Sequence, residues 1–201
     1  SVSEDMNREL EEELKKINSM SSDISMEMMG RSFEGTDKRM NPNKQAFELK
    51  MGAMTVVKKI FNGATGYTAQ MGQKKDYDEG EIKEAMDEKS VIAQLFYVSP
   101  DYKLEYLGAG TYNNESTYRL KVAMPSGRVA VQQYSSKTGL LLQEEITDKD
   151  GDISLVTYGD YRKVGAYSFP FEINASQGGQ EFPIKITSIK INEGVSEEDF
   201  K

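Results

Sequence analysis

Histidine, cysteine and tryptophan are all absent from this chain of 201 residues, and proline occurs only 5 times. Each absence excludes something definite. Without cysteine there is no disulfide framework, no thiol nucleophile and no thiolate metal ligand. Without histidine the chain cannot build, on its own, a Ser-His-Asp triad, an imidazole acid–base pair or a histidine zinc site. No enzymatic activity is expected, least of all hydrolysis, and no cofactor. No run of 18 or more apolar residues occurs, so no helix is expected to span a bilayer. The first twenty residues lack the basic-then-apolar pattern of a signal peptide. The chain begins Ser1-Val2 and offers no cysteine for acylation, so a processed or excised segment without a lipid anchor is expected. Positive charge is also short. Lys and Arg total 25 against 33 Asp and Glu, a net charge of −8. Nucleic acid and anionic lipid headgroups both ask for a basic footprint, so both are disfavoured by this sum.

What is present suits a packed soluble domain. The chain is 37% hydrophobic and 29% charged, with a mean hydropathy of −0.62. That is polar, yet too apolar for intrinsic disorder. A chain this long buries about 70% of its unfolded surface, and its length fits one domain over 1–201. Residues 3–20 read as an amphipathic helix, with Met6, Leu10, Leu14, Ile17 and Met20 on one face and Ser3 as cap. The period then becomes two: Ile24, Met26 and Met28 alternate with polar neighbours, as do Phe47, Leu49 and Met51. Met28 and Met29 read as successive strand positions. Asn62-Gly63 marks a tight turn. Residues 79–97 read as a second helix, capped by Asp78 and striped by Ile82, Ala85, Met86, Ile92, Leu95 and Phe96, with Lys89 interrupting. Strands resume at Tyr102–Leu107, Thr117–Met124, Arg128–Tyr134, Leu140–Thr147, Ile153–Tyr161, Phe169–Ala175 and Phe182–Asn192. The fold class expected is mainly β (α+β). Its form is an unclosed antiparallel β-barrel or highly curved sheet of about ten strands, with helices covering the concave face.

Two motifs invite a chemical reading and fail it. Asp148-Lys149-Asp150-Gly151-Asp152 places its glycine at the fourth position, where a calcium loop wants it at the sixth, so a hairpin turn is expected. Gly63 with Gly66, and Gly108 with Gly110, lack the Gly-Lys-Ser/Thr ending of a phosphate loop. The methionines say more. Ten of the eleven lie at or before residue 86, and such flexible, polarizable side chains line surfaces that tolerate ligands of varied shape. The candidate lining of an apolar cavity is Met26, Met28, Phe47, Leu49, Met51, Ile60, Met86 and Phe96. Lys89 sits where it could meet a headgroup or lay its stem along apolar surface.

A family resemblance rests on segments in a fixed order. They are Asn62-Gly63-Ala64-Thr65-Gly66-Tyr67, then Thr138-Gly139-Leu140-Leu141, then Tyr158-Gly159-Asp160-Tyr161-Arg162-Lys163-Val164. Phe169-Pro170-Phe171, Ile189-Lys190-Ile191-Asn192 and Asp199-Phe200 follow. The chain resembles the Bacteroidetes outer-membrane lipoprotein-sorting group, which is similar to the periplasmic lipoprotein carrier and its receptor. Similar domains end insulinase-type zinc peptidase homologues. The resemblance implies an open barrel with a helical lid, a lipid or acylated lipoprotein as partner, and a place in the periplasm or at the inner face of the outer membrane. In the alternative reading the chain is a non-catalytic interaction domain beside an upstream peptidase-like domain.

Overall fold

In a computed structural model of the protein, residues 11–148 and 150–201 are described. The fold is mainly β, one antiparallel sheet of thirteen strands that does not close into a barrel. In chain order these are β1 Ser19–Met28, β2 Arg31–Met40, β3 Lys44–Met51, β4 Met54–Asn62, β5 Gly66–Gln70 and β6 Gln73–Asp76. Then come β7 Lys103–Tyr112, β8 Glu115–Ala123, β9 Val129–Ser135, β10 Leu141–Thr147, β11 Ile153–Val164, β12 Tyr167–Gln177 and β13 Gln180–Ile191. The hydrogen-bonded order is β6-β5-β4-β3-β2-β1-β13-β12-β11-β10-β9-β8-β7, two meanders with β1 beside β13. Short hairpin loops force this antiparallel pattern, because a parallel partner would need a crossover of a dozen residues or more.

Thirteen strands exceed the ten expected, and β2 and β6 explain most of the excess. In β2 only Phe33 is buried, and in β6 (Gln-Lys-Lys-Asp) every residue is exposed. Neither shows apolar alternation. β6 pairs with β5 through Met71-Gly72, whose φ values of 49° and 83° suit a two-residue hairpin loop. Met29 also departs from expectation: it lies in the β1–β2 turn at φ 52°. Asp148 does form the expected turn. Its carboxylate accepts the N–H groups of Asp150 and Asp152, each at 2.9 Å.

Both helices are shorter than their periodicity predicts. Of the first, residues 3–10 lie outside the described residues; helix is found over 11–14, and β1 has begun by Ser19. The backbone past Leu14 finds other partners. Asn192 accepts the N–H groups of Asn18 and Ser19 at 2.7 and 3.1 Å, and its amide donates to the Lys16 carbonyl at 2.9 Å. The second resolves into an α-helix, Glu79–Ala85, and a 3-10 helix, Ala93–Phe96. Between them the Val91 N–H donates to Asn41 Oδ1 at 2.8 Å and the Ile92 N–H to Ser90 Oγ at 3.2 Å. Side chains thus take donors that an unbroken helix would have given to carbonyls four residues back.

The contacts divide the chain into two compact units: Ser1–Asp23 with Gly35–Val98 and Ile189–Lys201, and Ile24–Glu34 with Ser99–Ser188. In the first unit Ala46, Ile60 and Phe200 form a buried cluster flanked by Met40, Tyr67 and Val195. Ala46 pairs with Ile60, and Ile60 with Tyr67, so all three share one sheet face. Phe200 reaches it from a C-terminal 3-10 helix, Glu197–Phe200, that packs on β3 and β4. The other face carries Phe61, on which Tyr77 stacks with ring centroids 6.3 Å apart. Gly66 makes room for that ring: a Cβ there would come within 2.6 Å of it.

In the second unit Val122 and Ala130 are fully buried, and their face also holds Gln132, 1% exposed. Gln132 Nε2 donates to Glu144 Oε1 at 2.8 Å, and Tyr158 OH to Glu144 Oε2 at 3.1 Å. The buried carboxylate is thereby satisfied on both oxygens. Tyr161 donates to the Leu141 carbonyl at 2.5 Å, and burial pushes its phenol up to about 12.

Candidate ligand-binding face

Alternation along β3 puts Phe47, Leu49 and Met51 on one face, Leu49 buried and the other two half-buried. Register extends that face across β4. Gln45 pairs with Phe61, Phe47 with Lys59 and Leu49 with Val57. Phe61 and Val57 therefore join the three β3 residues, and Ile60, 3% exposed, points to the opposite core. Ile60 and Phe61 are adjacent apolar residues, so no periodicity could say which of them faces Phe47. The register decides.

The Gln45 and Phe61 end of this face borders the 79–97 segment. Ala85, Glu88, Ser90 and Val91 share a shallow cleft, open to solvent, with Arg39, Gln45 and Phe61. Tyr77 anchors one end on Phe61. Asn41 anchors the segment's middle, accepting from Val91 and donating through Nδ2 to the Ile17 carbonyl at 3.0 Å. The cleft itself is charged. Arg39 donates to Asp37 at 3.0 Å and to Glu88 at 2.8 Å, and Asn43 donates to the Met86 sulfur at 3.1 Å. Asn43 Oδ1 and Asp37 Oδ1 are buried without a hydrogen-bond partner. Sequence reasoning missed Arg39, Asn41 and Glu88, because single polar residues in turns and strand ends carry no periodic signal.

Met86, 40% exposed, caps the α-helix, Phe96 is half-buried in the 3-10 helix, and Lys89 is half-buried between them. Phe47, Leu49, Met51, Met86 and Phe96 thus belong to the first unit. Met26, 7% exposed, and half-buried Met28 lie in the part of β1 that belongs to the second. One further feature stands out in the first unit: neither helix of the 79–97 segment buries a single residue. An amphipathic segment ordinarily buries its apolar stripe. Here Ile82, Ala85, Ile92, Leu95 and Phe96 all stay partly accessible.

The second unit has an apolar feature of its own. Leu104, Tyr106 and Tyr118 are 44%, 63% and 51% exposed on one face of the edge pair β7–β8, with the two tyrosine rings 6.4 Å apart.

No protein-family model matches the chain, and no curated protein does. Solved structures do match. A DUF1329 family protein from Desulfovibrio piger aligns with TM-score 0.63 and 13% identity, covering 96% of this chain and 93% of that one. An outer membrane lipoprotein-sorting protein domain from Vibrio parahaemolyticus aligns with TM-score 0.66 and 13% identity over 98% and 95%. A LolA superfamily protein from Nitrosomonas europaea aligns with TM-score 0.62 and 8% identity over 96% of each. At such identities the likeness is one of fold, and it runs through nearly the whole of each chain.

Proposed function

We propose that this chain is a non-catalytic binding domain for the acyl chains of lipoproteins, or another long apolar ligand, in the periplasm or at the inner face of the outer membrane. The observation that carries the reading is the incompletely buried apolar stripe of the 79–97 segment, which borders the Phe47–Leu49–Met51 sheet face at Gln45 and Phe61. In this reading the segment is a lid. Tyr77 anchors its start and Asn41 its middle, and its apolar groups pack fully only when a ligand lies beneath. Met86 and Phe96 contribute from the lid, and Phe61 and Val57 extend the floor. The site as proposed leaves out Ile60, which faces the opposite core, and Met26 and Met28, which belong to the other unit. Each ligand methylene buried would contribute about 0.8 kcal/mol, which leaves several kcal/mol for a chain of about twelve carbons after ordering costs. The fold likeness supports the reading, since one of the similar structures is itself named for lipoprotein sorting.

The test is titration with a fluorescent fatty acid and an N-acylated lipopeptide. Saturable binding is expected, weakened about tenfold or more by Met86→Glu and by Phe96→Glu, since each puts a charge into an apolar contact. Absence of binding by the folded wild type, or affinity untouched by both changes, would reject the site and leave the chain as an interaction domain.

A further inference from the structure

The far ends of the β3–β4 and β5–β6 hairpins carry methionines in places where methionine is a poor choice. Met71 occupies the first position of a turn whose two residues both have positive φ, a position that favours asparagine, aspartate or glycine. It is 62% exposed, and Met54, which pairs with Met51 across the neighbouring turn, is 43% exposed. Because β3 to β6 form a meander, these two turns emerge at the same end of the first unit's sheet. The Met71 N–H donates to the Val56 carbonyl at 3.0 Å, which ties the two tips together.

Charge around these tips opposes the charge of the chain. Residues 45–76 hold five lysines (Lys50, Lys58, Lys59, Lys74 and Lys75) against Glu48 and Asp76, in a chain whose net charge is −8. Glu48 meets Lys50 at 2.8 Å, Asp76 meets Lys74 at 3.3 Å, and Lys75 meets Glu81 of the following helix at 3.1 Å. Lys58 and Lys74 both pair with Ala69, three ladder positions or fewer from the Met71 tip, and Lys50 adjoins Met51. Exposed apolar tips ringed by lysines match the two layers of an anionic bilayer surface, headgroup charge outside and hydrocarbon beneath. We infer that this hairpin end docks on an anionic lipid surface, with Met54 and Met71 inserted and the lysines on the headgroups. The whole-chain charge argues against such a surface, but it is an average that hides this patch. The inference is independent of the proposed ligand site, whose lid and floor contain neither Met54 nor Met71.

The experiment is co-sedimentation of the full chain with vesicles of phosphatidylcholine containing about 30 mol% phosphatidylglycerol, and with phosphatidylcholine alone. The expected result is binding to the anionic vesicles only, falling about tenfold between about 50 and 500 mM NaCl as the charges are screened. Met71→Asn combined with Met54→Ser should lower binding about tenfold, and asparagine suits the turn, so the fold is retained. Lys58→Gln with Lys74→Gln should lower it about tenfold by removing two headgroup contacts. Fatty-acid titration of the same variants should be unchanged, which separates this surface from the ligand site. No binding to anionic vesicles, equal binding to both compositions, or binding insensitive to the methionine changes would overturn the inference. An acidic protein partner for the patch would register as the first of these.

Discussion

Asn41 does the work of a small scaffold. Its amide donates to the Ile17 carbonyl, its carbonyl oxygen accepts from Val91, and its own N–H donates to the Asn18 carbonyl at 2.8 Å. Asn41→Ala keeps the last of these and strands the partners of the other two. A loss of about 2 kcal/mol is expected, since each partly buried group left unpaired costs about 1–3 kcal/mol before any relief from water. Chemical denaturation measures it, and an unchanged midpoint would show that Asn41 holds neither segment. Asp199 supplies a pH dependence. Burial alone would raise its carboxyl, but the bond from Lys38 at 2.6 Å and that from the Ser196 N–H at 2.7 Å outweigh it, so the group ionises below its ordinary value. A lowered carboxylate contributes stability that is present above its unfolded pKa of about 4 and lost as pH falls through the native value. Lys38→Met should therefore lose less stability than the wild type on acidification from about pH 6 to 3, with the two denaturation midpoints converging. Parallel curves would contradict that assignment. Residue identity also marks where sequence reasoning stops: Ile60 and Phe61 are equally apolar neighbours, and only the pairing of Gln45 with Phe61 assigns them to opposite faces.

At the scale of elements, strands with an apolar face were legible and those without one were not. β1 alternates as its sequence predicts, with Ile24 and Met26 buried and Asp23 and Glu27 exposed. β2 and β6 are held by neighbours and turns rather than by apolar side chains, so period-two counting cannot find them. The 79–97 helix fails for a different reason. Its apolar spacing is helical throughout, but Asn41 and Ser90 compete for the backbone donors in the middle. The C-terminal 3-10 helix shows the converse, a four-residue element with one decisive side chain. Phe200 is 2% exposed against Ala46 and Ile60. Phe200→Ala should cost about 3–5 kcal/mol by the size of the cavity it opens. Hydrogen exchange should place that loss in β3 and β4, on which the helix packs, and protection unchanged in those strands would show that the plug is dispensable.

Across the whole molecule, the order of strands agrees with a mainly β, antiparallel, unclosed architecture read from short loops and alternation. The two compact units were not legible. β1, β2 and β13 each pass from one unit into the other, so no linker, composition shift or proline-rich stretch marks a boundary. The functional reading rests on the first unit, where an apolar sheet face borders a segment that buries Asp87 and Ser90 but none of its apolar side chains. Native mass spectrometry of the chain purified from bacterial cells tests that reading most directly. The account predicts a population carrying one added mass of acyl-lipid size, released on gas-phase activation and diminished in Phe96→Glu of unchanged circular dichroism. Bare protein alone, with no adduct even after incubation with excess lipopeptide, would contradict it.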